Sequence, residues 1–170
     1  MPKLYLPRIP VAARTLDALK KLGAYKPVKG YKEKDAIVQL TKDPGDPVIV
    51  WASPALDGYR KVWEAAHHMG EVSAVDTWGK GIDVDHVYPK SWAKVAGMEM
   101  AYVRLFPAWA EVNRSAGGGR EKARLQELKA KPQKVDDLMF AEELQVLKIL
   151  GHPVGTASNH ISIFETPKPR

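Results

Sequence analysis

The chain has 170 residues, of which 45% are hydrophobic, and it carries a formal net charge of +6 and no cysteine. This length and apolar content suit one compact domain with an ordinary core. Without cysteine the chain cannot form a disulfide scaffold, a thiolate zinc site or a cysteine nucleophile. No apolar run is long enough for a transmembrane helix, and prolines interrupt the basic N-terminus, so we expect neither a membrane span nor a secretory signal.

Most of the positive charge falls in two blocks. Residues 1–34 hold nine Lys or Arg against two Asp or Glu, and residues 120–134 hold six against two, whereas residues 35–79 are net acidic. Basic blocks of this kind attract a polyanion such as nucleic acid. On charge alone, a solvated basic surface is an equally good interpretation.

The first half of the chain predicts two helices and a hairpin. Leucines at three-residue spacing favour a short helix over 14–23. Two β-rich runs, 36–40 and 48–52, flank a linker of Pro, Gly and Asp, which is typical of a hairpin. The segment 54–69 predicts a helix with Ser53 as its N-cap.

The second half predicts two strands followed by helices. Apolar and polar residues alternate over 81–86, which indicates a strand, and 100–106 is a candidate second strand. A helix is expected to start within 107–114. A basic helix is predicted over 120–131, and an amphipathic helix over 135–150.

The run IDVDHVYPKS, residues 82–91, contains the residues best suited to catalysis. It places Asp85 next to His86 at the end of the strand predicted over 81–86. A carboxylate is a hard oxygen ligand suited to Mg²⁺ or Mn²⁺, and an imidazole is largely neutral and basic near pH 7. One group could hold a metal ion while the other removes a proton from water. A buried hydrogen-bonded pair is the structural alternative.

This run resembles the first half of the motif of HNH (ββα-metal) endonucleases, including the HNH domains of RNA-guided CRISPR nucleases. Those carry an Asp-His pair on a strand, then an apolar residue and, two positions later, a proline. The run LFPAWAEVNRS, residues 105–115, is similar to the second half, in which a strand, a proline and an aromatic residue precede Asn-Arg-Ser. The resemblance covers about residues 81–122. It implies metal-dependent hydrolysis of DNA phosphodiester bonds, with His86 as general base and with Asp85 and Asn113 as ligands of a divalent ion, Mg²⁺ or Mn²⁺.

Two positions depart from the family pattern. Ala116 stands where members often have a lysine before the glycine, and Gly117 stands where the final histidine of the family's name would fall. Other basic residues must therefore contact the phosphates, and the basic helix over 120–131 is the natural source, although a solvated helix face is the alternative. The residues expected to bind nucleic acid are Arg114, Arg120, Lys122, Arg124 and Lys90.

The predicted architecture is α+β, with a ββα-metal HNH unit embedded in surrounding helices and an N-terminal β-hairpin. The HNH core is expected at 81–131, a helical and hairpin extension packed on it at 1–80, and a C-terminal helix and tail at 132–170. The chain shows no separate DNA-reading module, so a weak sequence preference is expected. Compact basic nucleases of this kind are typical of bacterial toxin or effector domains. Such a domain would act in a cytoplasm, its own or that of a target cell after export without a signal peptide, and would need an inhibitor (immunity) protein in the producing cell.

Several alternatives remain at this point. The chain could be a non-catalytic basic nucleic-acid-binding module with a degenerate HNH site, or its basic surface could meet an acidic protein partner. RNA could replace DNA as the substrate. Asp83 is more easily explained as a structural residue than as a metal ligand, and a metal role for His67 or His68 is a minor possibility. The tryptophans near the motif, Trp78, Trp92 and Trp109, are expected to fill the core rather than to stack on bases.

Overall fold

The computed structural model describes residues 8–40, 48–67 and 81–150, together with two-residue strands at 4–5 and 164–165. The fold is α+β, as predicted: a curled, largely antiparallel sheet is covered by a few helices. The strands are β1 (Leu4–Tyr5), β2 (Pro10–Ala13), β3 (Tyr25–Pro27), β4 (Ala36–Gln39), β5 (Ile49–Ala52), β6 (Ile82–His86), β7 (Tyr102–Trp109), β8 (Leu138–Phe140) and β9 (Phe164–Glu165). The helices are α1 (Leu16–Lys20), α2 (Tyr59–His67), α3 (Ala110–Gly118), α4 (Arg120–Ala130) and α5 (Glu143–Ile149).

The main sheet is organised around β7. Its strands run in the order β3-β4-β5-β7-β2-β8, and each pairs antiparallel with its neighbours. The first residues of β7 pair with β2 and β5, whereas its second half, Leu105 to Trp109, pairs with β6. One eight-residue strand therefore connects the N-terminal strands to the strand that carries the Asp-His pair. Separately, β1 and β9 form a parallel pair.

The core holds the large apolar side chains between the sheet and the helices. Trp51 and Trp92 are completely buried, each within its own cluster of apolar side chains. Burying side chains of this size supplies much of the hydrophobic stabilisation of a domain this large. Within the part of the chain that the structure describes, no helix has both the length and the apolar character needed to cross a membrane.

Several predicted elements are confirmed. The hairpin is present, since β4 and β5 pair antiparallel with Ala36 opposite Ala52. The short helix α1 begins after Thr15, whose hydroxyl accepts a hydrogen bond from the Ala18 backbone N–H. The alternating segment forms β6, and the basic segment forms α4, which ends just before Pro132.

The helix predicted over 54–69 starts later than expected. Ser53 caps a turn instead of a helix: its hydroxyl accepts a hydrogen bond from the Ala55 backbone N–H at 3.2 Å. Gly58 has a φ of +78°, which a right-handed helix cannot contain, so α2 begins only at Tyr59. Residues 68 and 69 lie outside the described part of the chain.

Two further elements have other boundaries than predicted. The strand expected over 100–106 runs to Trp109 and completes its pairing with β6, whereas the helix expected to start within 107–114 does begin inside that range, at Ala110. The helix expected over 135–150 is confined to Glu143–Ile149. Leu138–Phe140 instead form β8, which pairs with β2 at the edge of the sheet, and a capping box between Glu142 and Gln145 starts α5.

Candidate active site

Asp85 and His86 are the last two residues of β6, and three elements position them. On one side, β7 pairs with β6 and places Phe106 opposite Asp85. The ring of Tyr59, at the start of α2, lies 4.5 Å from the imidazole of His86 in an edge-to-face arrangement. From α5, Lys148 reaches Asp85. The pair is therefore held by residues from distant parts of the sequence.

The structure brings Asp85 and His86 into direct contact, which is also the geometry of the structural alternative, a hydrogen-bonded pair. Oδ1 of Asp85 lies 2.5 Å from Nδ1 of His86 and also accepts a hydrogen bond from the His86 backbone N–H at 2.8 Å. A proton on Nδ1, shared with the carboxylate, leaves the lone pair on Nε2. None of the described residues forms a hydrogen bond with this buried Nε2. Buried polar atoms without a partner are uncommon, and they occur where a ligand or water binds.

A buried lysine completes the arrangement. Nζ of Lys148 lies 3.1 Å from Oδ2 of Asp85 and 3.8 Å from Oε1 of Glu121. Its side chain is only 5% exposed, and a lysine is almost never buried to this extent unless it is paired. Glu121 is fixed in turn by its own backbone, because its carbonyl accepts a hydrogen bond from Nε1 of the buried Trp92 at 3.0 Å.

The two carboxyl groups respond to this environment in opposite directions. Burial opposes ionisation of Asp85, but the hydrogen bond from His86 and the Lys148 ammonium outweigh it, so the pKa of Asp85 lies well below its usual range. Burial raises the pKa of Glu121, and the Lys148 charge only partly offsets that effect. Asp85 therefore stays ionised to a lower pH than Glu121 does.

The pair lies in the wall of a cavity of about 450 Å³. The side chains around it combine carboxylates, an imidazole, a hydroxyl and two ammonium groups, and the lining residues are Asp85, His86, Pro89, Lys90, Ser91, Lys94 and Glu121. Lys90 also lies 2.9 Å from Asp57, and this hydrogen-bonded pair raises the pKa of the lysine and lowers that of the carboxyl. A phosphate could meet both lysines and the imidazole at one surface.

Asn113 also reaches β6, but at a different residue from the one predicted. Helix α3 follows directly on β7, and Nδ2 of Asn113 donates a hydrogen bond to Oδ2 of Asp83 at 3.3 Å. Asp83 and Asp85 are two residues apart on one strand, so they project from the same face of β6 about 7 Å apart. The hydrogen bond explains Asp83 as a residue that fixes Asn113, as the sequence favoured.

The predicted phosphate-binding residues have different environments. Lys90 lines the cavity, whereas Arg114 and Lys122 are exposed on α3 and α4. Arg124 forms ion pairs with two carboxylates, Glu127 at 3.0 Å and Glu142 at 3.1 Å, so its charge is locally balanced. The side chain of Arg120 lies outside the described part of the structure.

The remaining candidates are explained by local contacts. Nδ1 of His67 lies 2.9 Å from the Trp63 carbonyl oxygen in the preceding turn, and its ring packs on that tryptophan. Trp92 fills the core, as predicted, but Trp109 is 38% exposed, so the prediction that it fills the core was wrong. It falls at the end of β7, where the chain turns into α3. His68 and Trp78 lie outside the described residues.

Sequence reasoning missed four residues at this site. Lys94 was within reach of such reasoning, because it follows Lys90 by four residues in the same basic loop. Glu121 gave no signal, since it is one of two acidic residues in a basic helix. Tyr59 and Lys148 gave none either, because each belongs to an ordinary amphipathic pattern and reaches the site only through tertiary packing.

The donor atoms at the cavity fit the kind of ion that the HNH resemblance implies. Within the described ranges, no group of three or more His, Asp or Glu side chains is arranged to hold a metal ion. Two carboxylates, Asp85 and Glu121, nevertheless line one cavity. Mg²⁺ is usually bound by one or two carboxylates and completes its shell with water and substrate phosphate. The residues present therefore suit Mg²⁺ or Mn²⁺ held by few protein ligands.

Comparison of the chain with protein-family models, with curated proteins and with solved structures gives no match. The resemblance to the HNH endonucleases is therefore carried by the sequence motif alone.

Proposed function

We propose that the protein is an HNH-type endonuclease that hydrolyses phosphodiester bonds in DNA, with His86 as the general base. The observation that carries the proposal is the cavity in which the Asp85–His86 pair lies beside Lys90 and Lys94. The order of elements gives further support: β6 and β7 pair antiparallel, and α3 follows at once and contacts β6 through Asn113. This is the strand–strand–helix order that the resemblance implies.

The substrate phosphate is expected to bind at the lysines. Lys90 and Lys94 lie four residues apart in the segment after β6, where Trp92–Lys94 form a short 3-10 helix, and both line the cavity. Ammonium groups attract phosphate oxygens without reading the base sequence, so these contacts place the backbone and give no sequence preference. Ser91, between them, can donate a hydroxyl hydrogen bond to the same phosphate.

The imidazole is expected to remove the proton from the attacking water. Asp85 holds the proton on Nδ1 of His86, so Nε2 accepts the proton from water while the water oxygen forms a bond to phosphorus. The bond from phosphorus to the leaving oxygen then breaks. Asp85 would hold the metal ion, with Glu121 as the second carboxylate of the cavity; the resemblance adds Asn113, whose amide is hydrogen-bonded to Asp83. A bound Mg²⁺ or Mn²⁺ would neutralise the phosphate and the charge that develops on the leaving oxygen.

Nicking of supercoiled plasmid by the purified protein tests the proposal. Wild-type protein should nick the plasmid with Mg²⁺ or Mn²⁺ and stop when chelator is added. His86→Ala should lose activity by roughly 10²–10⁴-fold, the usual contribution of a general base, while DNA affinity and melting temperature stay close to those of the wild type. His67→Ala, which changes a histidine outside the cavity, is the matched control and should retain activity.

The other outcomes of this assay identify the alternatives. Intact plasmid together with DNA binding would show a non-catalytic nucleic-acid-binding module. Cleavage of a labelled RNA but not of plasmid would assign an RNA substrate. Nicking by His86→Ala at the wild-type rate would refute the role of the histidine. The toxin or effector role and the inhibitor protein rest on the resemblance alone and remain predictions.

A further inference from the structure

We propose that the Lys148 ammonium is an internal cation that competes with the divalent metal ion for Asp85, and so weakens metal binding in the absence of nucleic acid. This inference rests on the proposed function, because it concerns the ion used by that site. Its basis is geometric: Nζ lies 3.1 Å from Asp85 and 3.8 Å from Glu121, the two carboxylates of the cavity.

The charges of these three groups define the competition. Asp85 and Glu121 together carry two negative charges when both are ionised, and Lys148 cancels one of them. A divalent ion that approaches Asp85 meets a group already neutralised on Oδ2 and hydrogen-bonded on Oδ1 by His86. The ion must therefore displace the ammonium or share the carboxylate with it, and both options weaken binding.

The burial of Lys148 distinguishes this pair from a surface ion pair. Its side chain is 5% exposed, compared with 24% for Asp85 and 17% for Glu121. Water screens such a contact only weakly, and the ammonium has little solvent to move into when the ion arrives. Substrate phosphate would supply further ligands for the ion, so we expect tight metal binding only in the complex with nucleic acid.

Titration of Mn²⁺ in the absence of nucleic acid, followed by electron paramagnetic resonance at pH 8, tests this inference. Lys148→Met keeps the length of the side chain and removes its charge, so it should bind Mn²⁺ at least about tenfold more tightly than wild type. Lys148→Arg keeps the charge and should bind as weakly as wild type. Lys129→Met, which removes an exposed lysine from α4, is the control for the change in net charge and should alter the affinity by less than about twofold.

A second measurement covers the case in which Lys148→Met does not fold. The side-chain Cε resonance of Lys148 in wild-type protein, assigned from its loss in Lys148→Arg, should shift as diamagnetic Mg²⁺ is added to saturation, because the ion displaces the ammonium from Asp85. A resonance that stays unmoved once other resonances of the cavity show Mg²⁺ to be bound, or an unchanged Mn²⁺ affinity in a folded Lys148→Met, overturns the inference. If wild type still nicks plasmid in a chelator-sensitive way, the proposed function survives that result. Absence of nicking by wild type would instead refute the proposed function.

Discussion

Removing the charge of Asp85 should destabilise the fold, because it leaves the Lys148 ammonium buried. We consider Asp85→Asn, which keeps the shape of the side chain. At the observed separation of 3.1 Å, the attraction between the two charges is about 5 kcal/mol at an effective dielectric constant of about 20. Asp85 is 24% exposed and Glu121 remains 3.8 Å from the ammonium, so screening and the second carboxylate reduce the loss. We therefore expect the free energy of unfolding to fall by about 2–3 kcal/mol.

Urea denaturation at pH 7, followed by circular dichroism, measures this loss. The double variant Asp85→Asn/Lys148→Met removes both charges and should recover much of the stability lost by the single variant, giving a coupling energy above about 1 kcal/mol. Asp17→Asn removes the exposed ion pair between Asp17 and Lys20 and is the matched control. The urea midpoint of this variant should equal that of the wild type. A loss from Asp85→Asn no larger than that of the control would refute the reasoning.

The pH dependence of the same loss provides an independent check. Folding lowers the pKa of Asp85 below its unfolded value of 3.8, so the ionised carboxylate stabilises the folded state. That contribution is fully present above about pH 4 and is lost only as the pH falls below 3.8 toward the folded pKa. The stability difference between wild type and Asp85→Asn should therefore be constant from pH 5 to 8 and shrink below pH 4. A difference that changed between pH 6 and 8 would point to another group.

Three other variants test separate parts of the structure. The double variant Lys90→Ala/Lys94→Ala should lower the slope of log affinity against log salt concentration by about 1, because both lysines are proposed to meet the same phosphate, and it should also lower kcat at saturating DNA. Fluorescence anisotropy and the nicking assay measure the two effects. Gly58→Ala should lower the free energy of unfolding, measured by urea denaturation, by about 1 kcal/mol. The φ of Gly58 is +78°, and no described heavy atom lies close to an added Cβ, so the whole effect comes from backbone strain. Asn113→Ala should lower the free energy of unfolding by about 1 kcal/mol, because the hydrogen bond to Asp83 is lost, and an unchanged stability would contradict that contact. If the amide is also a metal ligand, titration should show weaker Mn²⁺ binding by this variant.

The parts of the fold that were predictable depend on local chemistry. The alternation of apolar and polar residues over 81–86 predicted β6, because one face of a half-buried strand must be polar. The turn residues between the two β-rich runs predicted the hairpin of β4 and β5. Pro132 predicted the end of α4, because a proline cannot continue the helix. Each signal lies within a few residues of the structure it specifies.

The errors arose where a distant partner decides the structure. Leu138–Phe140 fit a helical pattern, but they pair with β2, which lies more than 120 residues earlier in the chain. No local pattern identifies that partner. The same reason explains which contacts of the candidate site could be predicted. Asp85 and His86 are adjacent in the sequence, whereas Lys148 reaches Asp85 from 63 residues away. The motif thus singled out Asp85 and His86, and only the packing of α5 on the sheet could reveal the Lys148 ammonium beside them.

The pairing of β6 with a single neighbouring strand, β7, allows this strand to open locally. Among the described strands, β6 pairs only with β7, whereas β7 also pairs with β2 and β5 through its other half. Detaching β6 breaks one row of backbone hydrogen bonds and the side-chain contacts of its residues with Tyr59, Asn113 and Lys148. The other strand pairs stay intact, so it requires less free energy than global unfolding. Hydrogen exchange at the β6 amides should accordingly be faster than at Val103. The strand that bears Asp85 and His86 can then open locally while the rest of the sheet stays folded, and a bound nucleotide backbone would slow hydrogen exchange at its amides.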